Sequence, residues 1–160
     1  MRYFLFIDVQ KNLVTGEAAI PGAREVASRI VDCAYRLKDA DGCYAYATRL
    51  TDGTEESELF SCLGSIVDGR GVRSGGLSEL IGLELKMAAF GKPDEIVVCG
   101  LGTSGMVLVA ALLMRTFHPS AKVSILGDLT CDKSEGDKAA ALIVARNNGV
   151  SVIEGDGGLV

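Results

Sequence analysis

The sequence predicts a single α/β domain over residues 1–160, a three-layer α/β/α arrangement around a mostly parallel, doubly wound sheet. Three observations carry this prediction. Strand-like apolar runs alternate with helical patterns along the chain. The runs are nearly continuous in apolar residues, as strands buried on both faces are. The helical segments carry their apolar residues on one face. With 160 residues, 48% of them hydrophobic and 23% charged, the chain is long enough to bury its own core.

The elements follow in order. Residues 2–9 read as a strand. Pro21 and Gly22 open a helix in which Ala23, Val26, Ala27, Ile30, Val31, Ala34 and Leu37 form one apolar stripe. Residues 42–49 read as a second strand and 55–63 as a short helix. Residues 64–76 contain five glycines together with Arg70 and Arg73 and show no periodicity, which predicts a loop. Residues 77–90 form a second amphipathic helix, ended by Gly91 and Pro93. A strand over 95–99 leads through a glycine-rich turn into a helix over 104–117. That helix is apolar almost all round, so it belongs in the core or at an oligomer interface. A strand over 122–126, a helix over 134–148 stopped by Gly149 and a strand over 150–153 complete the pattern.

Composition excludes several function classes. The net charge is −5 with both signs interspersed, and the absence of a basic stripe argues against nucleic-acid binding. No run of about twenty uncharged apolar residues is present, so no membrane span is expected. The apolar N-terminal stretch is too short for a signal-peptide core and is interrupted by Asp8. A cytoplasmic location is the expectation. The five cysteines, at 33, 43, 62, 99 and 131, form no CxxC pair and read as buried free thiols of a reduced compartment. The one histidine, His118, cannot build a His-rich metal site. Beside Pro119 it reads as a solvated helix end.

In open α/β sheets, ligands bind at the carboxyl ends of the strands. Those ends are Asp8-Val9-Gln10, Thr48-Arg49, the glycine turn and Gly127-Asp128. Asp8 follows an apolar strand, where partial desolvation would raise its pKa and suit it to proton transfer. Alternatively, its carboxylate only accepts hydrogen bonds from the local backbone. The turn Gly100-Leu101-Gly102-Thr103-Ser104-Gly105-Met106 spells GxGxxG and places backbone N–H groups at a helix start. It fits a dinucleotide-binding turn with Asp128 as the ribose-binding acid. It equally fits the nucleophile turn of a hydrolase, in which position 106 would have to be cysteine. Against the first, Asp128 lies 28 residues beyond Gly100 where about 20 is usual, and a strand and helix precede the motif.

Four segments share a resemblance in order and spacing. Phe6-Ile7-Asp8-Val9-Gln10-Lys11-Asn12 resembles the D-x-Q-N opening of the isochorismatase-like cysteine hydrolases. The turn 100–107 is similar to their G-x-A-T-D-x-C-V block. Residues 125–132 resemble their E-D-A-x-A-S segment, and 44–49 a strand ending in Thr-Arg. The resemblance implies a doubly wound sheet, a homodimer or larger homo-oligomer, and an Asp-Lys-Cys triad. Asp8 would take the thiol proton, a lysine in or near the glycine-rich loop would stabilise the thiolate, and the cysteine would attack an amide or similar carbonyl. The N–H groups of residue 106 and Gly102 would hold the oxyanion. Substrate contacts would fall at Gln10, Gly102, Thr103 and Ser104. A non-proline cis peptide bond would lie at Leu101–Gly102 or beside it.

The sequence departs from that pattern at the reacting atoms. Met106 occupies the nucleophile position, and a thioether has no proton to lose and no thiolate to form. The lysine position offers only Arg70 or Arg73, which stay charged and cannot trade protons. Ser104 replaces an aspartate. Residues 48–52 lack the histidine of the family's Asp-x-His metal pair, so neither zinc nor another cofactor is expected. Cys131, at a strand end, is not the family's nucleophile. The expectation is a protein with a pocket for a small carboxylate or amide and without cysteine-hydrolase activity. Two alternatives stand beside it: a hydrolase in which Asp8 directs a water, and a nucleotide-binding module using the glycine turn.

Overall fold

One all-parallel sheet of five strands organises the protein. The strands are β1 (Arg2–Ile7), β2 (Cys43–Thr48), β3 (Glu95–Leu101), β4 (Lys122–Cys131) and β5 (Ser151–Ile153), in the spatial order β2-β1-β3-β4-β5. The computed structural model describes residues 1–49, 54–67 and 77–155. Arg70 and Arg73 fall outside them, as does most of the glycine-rich segment.

The central strand β1 pairs with β2 and with β3, and Tyr3, Phe4, Leu5, Phe6 and Ile7 are all fully buried. Strand alternation sends them to two cores. Phe4 and Phe6 face a cluster with Ala27, Ile30, Cys33 and Ala34 of α2 (Ala23–Leu37). Tyr3, Leu5 and Ile7 face the opposite cluster. That cluster holds Leu80, Leu83 and Met87 of α4 (Leu77–Ala88), Ala110, Ala111 and Met114 of α5 (Leu108–Phe117), and Leu142 and Ala145 of α6 (Glu135–Asn147). Burying each large side chain is worth about 1.5–3 kcal/mol, so β1 alone is a principal source of stability. This is the expected three-layer, doubly wound arrangement.

Several boundaries differ from the sequence expectation. Residues 55–63 form no single helix. A 3₁₀ turn (Glu55–Ser57) and the short α3 (Leu63–Ile66) flank a stretch tied to the end of β1. There the Phe60 amide donates to the Val9 carbonyl, and the Lys11 amide, at the start of α1 (Lys11–Val14), donates to Glu58. Strand β4 continues past Leu126 to Cys131. A register shift between Val98 and Gly100 absorbs the extra residues, so that Thr130 and Cys131 pair with Gly100 and Leu101. Asp128 therefore ends no strand, and its carboxylate accepts the Gly155 amide at 2.6 Å. The helix expected from Ser104 begins as a π turn (Thr103–Val107) broken by non-helical backbone at Gly105, and regular α-helix starts at Leu108.

His118 is not a solvated helix end. Its side chain is 12% exposed, and Nε2 lies 2.7 Å from Glu84 Oε2, joining the end of α5 to α4. No disulfide joins the five cysteines. Cys33, Cys99 and Cys131 are buried, Cys43 is half-buried, and Cys62 is exposed, against the expectation of burial throughout. Gly149 takes a φ of 77° just past α6, as a helix-ending glycine does. No helix among the described residues is long and apolar enough to cross a membrane.

Candidate functional site

The carboxyl ends of β1, β2, β3 and β4 come together at one edge of the sheet. Asp8 leaves β1 with a φ of 52°, a conformation that aspartate tolerates better than most residues. Its amide donates to the Thr48 carbonyl at 3.1 Å, and the Thr48 hydroxyl donates to Asp8 Oδ1 at 3.0 Å. Both residues are buried. Burial raises the Asp8 pKa, and the Thr48 hydrogen bond opposes that rise without cancelling it. The carboxyl is thus biased towards its neutral form, as the strand-end position predicts. Its side-chain partner is a hydroxyl on the neighbouring strand rather than the turn backbone.

Gln10 is also buried. Its amide donates to the Asp8 carbonyl and its side chain donates to Asn12. Arg49 continues β2 into the same region. Its side chain is 8% exposed, and Nη1 lies 2.6 Å from Glu58 Oε2. The sequence marks Arg49 as a strand end but assigns it no role. Here it ties β2 to the 58–60 segment lying against the end of β1.

The glycine turn is built by three different constraints. Gly100 has a φ of 142°, and a Cβ there would lie 2.1 Å from the carbonyl oxygen of Ile7 on β1. It is glycine because two strand backbones approach too closely for any side chain. Gly102 has a φ of 77° and open space around it, so conformation alone selects it. Gly105 supplies the break inside the π turn. No cis peptide bond occurs among the described residues. The chain reverses through the left-handed Gly102, without the cis bond expected at Leu101–Gly102.

Two amides of the turn, those of Gly102 and Ser104, are already engaged. The Gly102 N–H, expected to help hold an oxyanion, donates to the Cys131 carbonyl at 2.9 Å. The buried Thr103 hydroxyl donates to that same carbonyl at 3.1 Å. The Ser104 N–H donates to Asp132 Oδ2 at 2.5 Å. Burial pushes the Asp132 carboxyl up, but hydrogen bonds from Ser104 and Lys133, with the Lys133 charge, outweigh it and hold the pKa below the usual range. The protein's own carboxylate thus neutralises the positive end of the turn. Asp132 has no signal in the sequence, where the strand reads as ending at Asp128, because the continuation of β4 depends on pairing with β3.

Met106 is half-buried and packs against the cluster containing Leu5, Ile7 and Tyr46. The nearby thiols are poor nucleophiles. Complete burial pushes the Cys99 pKa well up, and burial raises that of Cys131 to about 11, with Lys138 countering only in part. Asp8, Gln10, Gly102, Thr103 and Ser104 all lie at this edge of the sheet, with Met106 in the following turn. Arg70 and Arg73 lie outside the described residues.

Neither a family model nor a curated protein matches the sequence. Solved structures do match its fold. The pyrazinamidase of Pyrococcus horikoshii, determined in complex with zinc, is similar at a TM-score of 0.80 and 15% identity, over 96% of this chain and 99% of that one. A nicotinamidase from Bacillus subtilis is similar at 0.79 and 19% identity, over 96% and 99% of the two chains. An isochorismatase-like hydrolase from Alkaliphilus metalliredigens is similar at 0.79 and 18% identity, over 96% and 93%. A sheet with this strand order, helices on both faces and full-length superposition on these three enzymes give the chain the α/β fold of the isochorismatase-like hydrolases.

Proposed function

We propose that this protein holds a small carboxylate or amide at the carboxyl edge of its sheet and does not carry out cysteine-dependent hydrolysis. The residue at position 106 carries this reading. A thioether cannot form the thiolate that attacks a carbonyl, and Met106 packs against the core. Two further observations support it. The Gly102 amide, one of the two that would steady an oxyanion, already donates to Cys131. The Cys131 thiol, with its pKa near 11, offers little thiolate at neutral pH. In this reading Asp8 and Gln10 contact the ligand together with Thr103 and Ser104, and Arg70 or Arg73 supplies a fixed positive charge in place of a lysine.

Zinc accompanies the Pyrococcus pyrazinamidase, but the residues described here do not fit such a centre. Among them, no three His, Cys, Asp or Glu side chains cluster to hold a metal ion. The single histidine is paired with Glu84 at the opposite edge of the sheet.

One observation favours a second reading. The raised pKa of Asp8 suits it to accept a proton from water, which would let the protein hydrolyse without a thiol. The nucleotide-binding alternative gains no such support, because the Asp132 carboxylate takes the turn amide that a phosphate would need. Self-association, the remaining expectation, is supported by the outer faces of α4 and α6. These expose Ile81, Leu85, Ile143 and Val144, whereas α2 exposes one large hydrophobic side chain, Tyr35, beside Arg24, Glu25 and Arg29. Light scattering on the purified chain would give a dimer mass or larger, and a monomer at micromolar concentration would refute it.

The functional test measures ammonia release from nicotinamide and pyrazinamide alongside calorimetry with nicotinate. The expected result is binding without turnover, with binding weakened in Asp8→Asn. Turnover abolished by cysteine alkylation or in Cys131→Ala would refute the proposal. Turnover that survives both alkylation and Cys131→Ala and disappears in Asp8→Asn would establish the second reading instead.

A further inference from the structure

A cavity of about 400 Å³ opens at the edge of the sheet opposite Asp8, where α4 ends and α5 returns to β4. Its volume lies within the range of small-molecule sites, and its lining follows their usual chemistry, an apolar surface with a few convergent polar groups. Ala88, Pro93 and Phe117 supply the apolar part, and Glu84, Lys92 and His118 the polar part. Phe117 is 41% exposed, leaving its ring available to a planar ligand.

The polar groups are not equally committed. Glu84 and His118 are held together at 2.7 Å with side chains only 22% and 12% exposed. Placing such a pair between two apolar helices is costly, and apolar residues of similar size would often serve stability as well. The imidazole uses Nε2 on Glu84, and Nδ1 makes no hydrogen bond among the described residues. Lys92 forms no ion pair among the described residues, and its neighbour Asp94 is bound to the N-terminal amine. Two nitrogen groups without a partner among the described residues thus flank an apolar floor beside an exposed aromatic ring.

We propose that this cavity is a second ligand site, separate from the Asp8 edge, and that it takes a planar aromatic carboxylate. The ring lies against Phe117, and the carboxylate sits between the Lys92 ammonium and His118 Nδ1. With Glu84 on one nitrogen and the ligand carboxylate on the other, the ring is held as imidazolium and donates to both. The charged groups lining the cavity beside it are Glu84 and Lys92, and the Tyr3 phenol lies in the field of Glu84. Nothing in this site depends on the proposed function at Asp8.

The chain has one histidine, so its imidazole Cε1–H gives a single proton NMR signal that reports on this cavity. The test titrates benzoate and its neutral isostere benzamide into the full chain at a pH just above the midpoint of that signal. Benzoate should move it saturably towards the imidazolium position, with an affinity in the millimolar range or better, and benzamide should leave it in place. Lys92→Gln, at an exposed position, should weaken benzoate about tenfold, the loss of one charge-assisted contact. Asp8→Asn should leave the titration unchanged. Absence of a benzoate shift, an equal response to benzamide, indifference to Lys92→Gln, or loss of the shift in Asp8→Asn would each overturn the proposal.

Discussion

Replacing Gly100 by alanine tests why the turn is rich in glycine. The new Cβ would sit 2.1 Å from Ile7 O, 2.7 Å from Ile7 N and 2.8 Å from Ile7 C, all backbone atoms of the central strand. No rotamer change relieves such contacts, so β1 and β3 must move apart where Ile7 pairs with Gly100. The overlap costs about 1–3 kcal/mol as overpacking. Holding an alanine at a φ of 142° costs about 1–3 kcal/mol more. A total of about 4 kcal/mol is a large part of the stability of an ordinary domain. With a urea m-value of about 2 kcal/mol/M, the unfolding midpoint should fall by about 2 M. Gly102→Ala is the control. Nothing lies within 4 Å of its added Cβ, so only the left-handed φ of 77° opposes it. It should cost about 1 kcal/mol, or about 0.5 M in midpoint. If Gly100→Ala unfolds within about 0.5 M of wild type, or if Gly102→Ala is the more damaging change, the assignment of Gly100 to strand packing is wrong.

Two further predictions concern the titratable groups. Because the folded protein raises the Asp8 pKa, it binds the proton more tightly than the unfolded chain does, and stability is lost as pH rises from the unfolded value through the folded one. Asp8→Asn, which also tolerates the positive φ, should remove that loss. Its melting temperature relative to wild type should therefore be higher at about pH 7 than at about pH 3, and the opposite ordering would show that Asp8 is stabilised as the carboxylate. A thiol reagent on the native protein should label Cys62 first and Cys43 more slowly, with Cys33, Cys99 and Cys131 reacting only on unfolding. Rapid labelling of Cys131 would contradict its raised pKa.

Legibility from the sequence followed local chemistry. The apolar run of β1, the stripe of α2 and the ends of α6 at Ser134 and Gly149 could all be placed from residue types. Ser134 does cap its helix, accepting the Asp137 amide. Asp8 was readable as a desolvated strand-end acid for the same reason. The errors fell where a distant segment sets the local structure. Gly127-Asp128 reads as a strand end, yet β4 runs on because a register shift lets Thr130 and Cys131 pair with β3. His118 reads as solvated, yet Glu84, 34 residues earlier in the chain, takes its Nε2.

The sequence alone determined the α/β class, the strand-end position of Asp8 and the chemistry closed to Met106. Periodicity and side-chain reactivity are properties of the residues themselves. Only the tertiary structure decided that Gly100 serves strand contact, that Thr48 holds the Asp8 carboxyl, and that Asp132 and Cys131 occupy the amides of the turn. Those are pairings between residues 28 to 93 positions apart in the chain. A hydrogen bond or a steric limit of that kind has no local signal, because it exists only once the strands have packed.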